Sequence, residues 1–284
     1  MTTTLRPLTP EQPTPDGGKG RLFAVCVNGR PVGRVTATVH GGPGPRVGAI
    51  TALGIDPPDR GRGRGTIAAL AAEEVLRGWG CARVDVEIAE QPGEDPDRVL
   101  RFAGALGYTA RSRNMLKVLP DSLPQLPSGT HGRPMTAEEF PGWLAAESQD
   151  YAELQIRNGL SPEQARARSD ADHRRVLPFG MASPNTLLRR LEAAGQAVGS
   201  VWLNTDVGRS PDRLQLGWVF DVRVDQAQRG RGYGRALMLL AERECLDVGL
   251  RRLGLNVFVD NAPADALYRS LGYRTFRHVL YKQL

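Results

Sequence analysis

The chain has 284 residues, 40% hydrophobic, with 37 basic and 31 acidic side chains and a net charge of +6, enough for two ordinary domains with packed cores. It lacks both the apolar run of a signal peptide in the opening MTTTLRPLTPEQPTPDGG and the roughly 20 apolar residues of a membrane span, so a soluble cytoplasmic protein without a membrane partner is expected. Cys26, Cys81 and Cys245 and the four histidines have no ligand spacing, which predicts reduced thiols and no metal; the arginine-dominated positive charge forms no run, which predicts no nucleic-acid partner.

Residues 1–20 are rich in Pro, Thr and Gly and are expected to be a flexible terminus. RLFAVCV, a turn at Asn28-Gly29 and PVGRVTATV then make a hairpin. VGAITALGI reads as a strand that runs into DPPDRGRGRG and a helix with the apolar stripe Ile67, Leu70, Ala71 and Val75. The strand ARVDVEI, an insert from Glu90 to Asp95 and a short helix ending in Leu106-Gly107-Tyr108 follow. Residues 21–118 are thus expected as a first domain, and the proline-bearing LPDSLPQLPSGT, 119–130, as an exposed linker. Helical patterns fill Thr136 to Arg175, with Ser161-Pro162-Glu163 as a helix start. A second hairpin (LLRRLE, AAGQ, AVGSVWL), the strand LGWVFDVRV, the loop DQAQRGRGYG, a helix with Leu237, Leu240, Ala241 and Val248, the strand RRLGLNVFV and a helix ending in Leu271-Gly272-Tyr273 complete a second domain, 131–284.

The two halves repeat one unit. Leu53, Ile55, Asp56, Arg60, Gly63 and Gly65 fall opposite Val222, Val224, Asp225, Arg229, Gly232 and Gly234. A glycine-rich turn between a strand and a helix aims several backbone N–H groups at one point beside the positive end of the helix dipole, an arrangement that suits phosphate. Arg229, Arg231 and Arg235 can add charge there. The bland alternative is a turn with solvated arginines, which a second copy in the same context disfavours. A P-loop is excluded because no Gly-Lys-Ser/Thr follows, and a dinucleotide fingerprint fails because Arg235 stands where the third glycine belongs.

At these residues the sequence resembles the GNAT superfamily of acyltransferases, whose Arg/Gln-x-x-Gly-x-Gly/Ala signature is matched by Arg229 to Gly234 and by Arg60 to Gly65. The second half also carries the rest of the family pattern through Leu255, Val257, Asn261, Ala264, Tyr268, Gly272 and Tyr273. The resemblance implies two tandem α/β domains, each a mixed, mostly antiparallel sheet whose two neighbouring parallel strands splay. Pantetheine would lie in the gap against the backbone of Val222 and Val224. The CoA pyrophosphate would sit in the nest of Arg229, Gly230, Arg231, Gly232, Tyr233, Gly234 and Arg235, with Asn261 anchoring the cofactor arm. It further implies direct transfer of an acetyl group from acetyl-CoA to the primary amine of a small molecule or peptide. Asp221 is the candidate base, a backbone N–H near Val222 the oxyanion donor, and Tyr268 the acid for the departing thiolate.

Periodicity alone places Tyr268 with Ala264, Leu267 and Leu271 on a core face, and Asp221 could equally be a surface acid on the pleat opposite Phe220, Val222 and Val224. Asn256 and Tyr151 are weaker candidates for lining an acceptor pocket. The first half carries Ala103, Pro96 and Ala52 in place of Tyr268, Asn261 and Asp221 and has no room for two helices, so it is expected to be abbreviated and non-catalytic. Its Leu53, Ile55, Arg60, Gly61, Gly63 and Gly65 could still form a second CoA site. The chain is expected as a monomer whose halves form a pseudo-dimer, or as a homodimer. A non-catalytic acyl-CoA sensor and a mycothiol-synthase-like tandem enzyme are the alternatives.

Overall fold

Asn28 and Gly29, both at positive φ, close a two-residue hairpin between β3 (Lys19–Val27) and β4 (Arg30–Val39). Ala194 and Gly195 do the same between β9 (Thr186–Ala193) and β10 (Gln196–Asn204), so an alanine here takes a left-handed conformation that glycine would accept more readily. The computed structural model describes residues 2–41, 45–90, 93 and 95–284; of the insert Glu90 to Asp95, residues 91, 92 and 94 lie outside the described residues. No helix among the described residues is long and apolar enough to cross a membrane.

The chain divides into two compact units, Met1–Arg111 with Arg277–Leu284, and Ser112–Phe276. In the first, β1 (Thr3–Pro7), β3, β4, β5 (Val47–Ile55), β6 (Arg83–Ala89) and β13 (Arg274–Gln283) lie side by side in that order, with the short β2 (Gln12–Pro13) against β3. Helices α1 (Arg64–Gly78) and α2 (Pro96–Ala105) complete it. In the second, the order is β7 (Thr109–Val118), β12 (Arg252–Phe258), β11 (Gly217–Val224), β10, β9 and β8 (Thr130–Pro134). It is joined by α3 (Phe140–Arg157), α4 (Pro162–Val176), α5 (Tyr233–Asp247) and α6 (Ala262–Ser270). Each unit is the mixed, mostly antiparallel sheet with flanking helices that the sequence implies.

Three expectations are corrected. Thr3 to Pro7 is not flexible: it pairs with Phe23 to Val27, on an edge where Pro7 removes no required ladder bond. The boundary lies elsewhere than at 118. Each half gives its last strand to the other, β7 pairing with β12 from Ser112 to Val118 and β13 with β6 from Arg277 to Gln283. The supposed linker is consequently part of the second unit, with Leu119 buried and its N–H bonded to the Arg251 carbonyl. Finally, the buried face of α1 is Ala68, Ala69, Ala72, Glu73 and Leu76, while Ile67 and Leu70 are exposed. Helix α5 buries the corresponding Leu237, Met238, Ala241, Glu242 and Cys245. Because the larger apolar side chains Ile67 and Leu70 lie on the exposed side, periodicity did not single out the alanine face.

A capping box, Ser161 and Gln164 exchanging hydrogen bonds with each other's backbone, starts α4 where the sequence places it. Helices α3 and α4 pack over the hydrophobic cluster Trp143, Trp202, Phe140 and Leu177 and belong to the second unit alone.

Candidate active site

Strand β11 pairs with its parallel neighbour β12 only at Gly217 to Val219, opposite Leu253 to Leu255. Beyond Val219 the pair is broken although both strands continue. The cause is local: the register against β10 jumps from Leu203–Val219 to Trp202–Asp221, leaving Phe220 as a bulged residue. The Asp225 N–H donates to the Val198 carbonyl at 3.0 Å. Alternation along the strand then turns the backbone groups of Val224 and Val222 away from β10, toward the open side. A chain of amides can pair there as an extra strand would. The first unit repeats the arrangement. Strand β5 meets β6 only from Val47 to Ile50, Thr51 is bulged, and Asp56 N–H donating to Val32 turns Ile55 and Leu53 outward.

The bulge also exchanges faces. Val219 lies in the core with α5, and after the bulge Val222 and Val224 pack on that core. Asp221 and Arg223 therefore project from the other face, which α3 covers in the second unit. In the first unit the equivalent Ala52 and Gly54 are exposed, and its described residues form no helices corresponding to α3 and α4.

Past each strand a 3-10 turn leads into the glycine loop. Gly230 and Gly232 have φ of +77° and +82°, and Gly61 and Gly63 both +72°, values that side-chain-bearing residues rarely adopt. Gly232 and Gly63 are the N-cap residues of α5 and α1. The N–H groups of 230–234 take no backbone carbonyl among the described residues, and a Cβ at Gly230 or Gly232 would meet open space. Such a nest of donors at a helix start fits a pyrophosphate. The arginines divide the labour. Arg229 Nε donates to the Val224 carbonyl at 3.4 Å and Arg60 Nε to Ile55 at 2.7 Å, so the first arginine of each signature fastens the loop to the strand end. Arg235 reaches Ser270 of α6, while Arg231 is exposed at the nest. Arg64, in the place of Tyr233, turns inward to the buried Asp59, which also accepts two bonds from Arg30.

Asp221 has 21% of its side chain exposed and stands 3.7 Å from Arg223 Nε. Its Oδ2 is buried without a hydrogen-bond partner. Burial, with the nearby Glu147 charge, pushes its carboxyl up to about 7, Arg223 opposing. Tyr268 on α6 packs partly against the core, its ring 6.1 Å from that of Tyr273. Burial raises its phenol to about 12, and the charge of Asp221 adds to that, which puts the two groups within electrostatic reach. A carboxyl poised near neutrality and a protonated phenol beside an open strand edge can take and give one proton each.

The remaining sequence candidates have structural engagements. Asn261 is the N-cap of α6, its Oδ1 accepting from the Ala264 N–H at 3.2 Å. Tyr151 donates to Asp172 at 2.8 Å and so ties α3 to α4. Asn256 is exposed on β12 and donates to Ser112 and Asn114 of β7. Sequence reasoning missed Glu147, Asp150 and Arg223, which gather at Asp221. Their spacing carried a signal, since Glu147 and Asp150 share one face of α3 and Arg223 lies two residues past Asp221 on the same pleat.

The profile of the Acetyltransferase (GNAT) family matches residues 5–99 and 153–273. The chain belongs to the GNAT acetyltransferase family. This GNAT enzyme is 31% identical over 275 residues, 91% of the chain and 78% of its relative, to the mycothiol acetyltransferase of Clavibacter michiganensis subsp. michiganensis (strain NCPPB 382). It is 29% identical to the uncharacterized N-acetyltransferase YycN of Bacillus subtilis (strain 168), covering 53% of the chain and 96% of YycN. Among solved structures it shares its fold with a tandem GNAT protein from the clavulanic acid biosynthesis pathway (TM-score 0.52, 19% identity, 95% of this chain and 85% of that one). A GCN5-related N-acetyltransferase from Sphaerobacter thermophilus is alike as well (TM-score 0.56, 21% identity, 92% of this chain and 80% of that one). This GNAT protein is therefore an N-acetyltransferase, and the donor used by its family is acetyl-CoA.

Proposed function

We propose that the second unit moves an acetyl group from acetyl-CoA to the primary amine of a small cationic acceptor, and that the first unit is non-catalytic. The observation that supports this reading is that Asp221, just past the bulge where the strand pair breaks, lies within electrostatic reach of Tyr268, where the first unit has Ala52 and Ala103. Acetyl-CoA supplies the activated thioester. The chain's own groups do the rest. The nest of 230–234 with Arg231 holds the pyrophosphate, and the outward backbone of Val222 and Val224 aligns the pantetheine amides. Asp221 removes a proton from the acceptor ammonium, a group with a free pKa near ~10 that is otherwise mostly charged. The backbone N–H beside the splay stabilises negative oxygen, and the Tyr268 hydroxyl returns a proton to sulfur. Asn261 retains only its Nδ2 for a ligand, so its contribution to holding the donor is secondary to its cap.

Three carboxylates around one guanidinium leave a net negative recess, which favours a cationic acceptor. Relatives named mycothiol acetyltransferase span nearly the whole chain, and this favours mycothiol without its acetyl group as the acceptor, with acetyl as the transferred group. The retained nest and outward edge of the first unit (Leu53, Ile55, Arg60, Gly61, Gly63, Gly65) support donor binding there without turnover. A free-thiol release assay with acetyl-CoA and a panel of amines, including deacetylated mycothiol, tests the reading. Thiol release dependent on one such amine is expected, and release with none of them overturns it.

A further inference from the structure

Among the groups outside the two proton-handling residues, the set around Arg223 is the most closely built. Arg223 Nη2 donates to Glu147 at 2.8 Å, its Nη1 stands 2.8 Å from Asp150, and its Nε lies 3.7 Å from Asp221. Glu147 is 13% exposed and Asp150 is 62% exposed, so one carboxylate is held inside and the other stands at the rim. The guanidinium is planar, and gripping Glu147 with one nitrogen and Asp150 with another fixes its plane beside Asp221. Every member comes from the same unit, α3 supplying the two carboxylates and β11 the other two groups. Tyr268 of α6 lies within electrostatic reach of Asp221, and on β10 the uncharged Trp202 is its cross-strand partner, with the His173 ring of α4 5.9 Å from that of Trp202.

We infer that Glu147 is a positioning residue for the base: Arg223 holds its carboxylate ionised against Asp221, so that a proton taken up by the Asp221–Glu147 pair resides on Asp221. The inference rests on Asp221 being the base. Asp221 and Glu147 share one guanidinium, and of two carboxylates in one buried site the one gripped at hydrogen-bond distance keeps its charge the more readily. The charge of Glu147 adds to burial in raising the Asp221 carboxyl, and the Asp221 Oδ2, buried without a hydrogen-bond partner, is free to hold the proton. The step balances simply. The acceptor ammonium loses one N–H proton to an ionised Asp221 oxygen and regains its lone pair. Glu147 accepts a hydrogen bond from the new Asp221 hydroxyl, Arg223 stays charged throughout, and the proton leaves to solvent past Asp150.

The pH dependence of kcat/KM for the acceptor, at saturating acetyl-CoA, tests this in the full chain. Glu147→Gln keeps an acceptor for Arg223 but removes the charge, so the acid limb is expected to move down by about one pH unit. The high-pH plateau should fall roughly 3- to 10-fold because the base is weaker. Arg223→Gln should move the limb up, and Asp150→Asn less than either, since its charge is screened by water. A Glu147→Gln limb that stays where the wild type has it overturns the inference, even if the rate falls. Should Glu147→Gln fail to fold, carbon-13 carboxyl NMR of the wild type reads the same pair. Asp221 should titrate well above the usual carboxylate range; an Asp221 that titrates at an ordinary value overturns the inference. Full activity in Asp221→Asn would instead sink the base assignment, whatever the NMR titration of the pair shows.

Discussion

Lys117 and Glu242, 125 positions apart in sequence, meet at 2.7 Å on the inner face of the second unit, with the lysine 5.7 Å from the Tyr273 ring. Lys282 and Glu73 repeat the contact in the first unit at 2.7 Å, 5.7 Å from Tyr108. Two of the chain's three lysines thus sit on the two exchanged strands, β7 and β13, and each neutralises a glutamate buried in the half that received it. Strand exchange is locked by charge as well as by the ladder.

Lys117→Met should accordingly be among the most damaging substitutions far from the site. Glu242 has 1% of its side chain exposed, and removing its partner strands a buried charge, which costs about 3–5 kcal/mol. Thermal melting should fall by several degrees or more, and Lys117→Met with Glu242→Gln should recover part of the loss.

A fragment cut at the boundary read from sequence, 131–284, lacks β7 and leaves β12 with an open edge where seven cross-strand pairings belong, Ser112–Phe258 to Val118–Arg252. We expect it to aggregate or melt without cooperativity, whereas 112–276 should melt cooperatively. Calorimetric scans of both decide the matter.

Tyr268→Phe should lower kcat by roughly 10²-fold while acetyl-CoA affinity stays nearly unchanged, because the hydroxyl acts only on the departing sulfur. Steady-state kinetics beside a binding titration separate the two. An unchanged kcat would remove Tyr268 from the mechanism.

Asp221→Asn should nearly abolish turnover yet stabilise the fold at high pH. The folded carboxyl is raised to about 7 from an ordinary value of 3.8, so its protonated form is the one the fold prefers. That preference contributes stability fully present below pH 3.8 and lost as the pH rises through about 7. The melting temperature of the variant should therefore match the wild type near pH 4 and exceed it by a few degrees at pH 8.

Gly232→Glu introduces a carboxylate and a strained φ at the second nest, Gly63→Glu at the first. Titration with acetyl-CoA should lose the productive site only in Gly232→Glu, and turnover should survive in Gly63→Glu. Loss of turnover in both would tie the first unit to catalysis.

The sequence by itself determined the repeat, both hairpins, both glycine loops and the two extra helices, because each depends on short-range chemistry: positive-φ residues at turns, a capping box at Ser161, and donors gathered by glycine. The family pattern made Tyr268 a candidate acid, and its place just before Val222 made Asp221 a candidate base. Only the tertiary structure decided which way Asp221 points. A bulge at Phe220 shifts the pleat by one residue, and strict alternation cannot register an extra residue whose presence is set by the neighbouring strand. The same holds for the exchanged strands and for Glu147, since the partners of β7, β13 and Arg223 lie dozens of positions or more away, and pairing at that range is chosen by burial and charge, which no local pattern records.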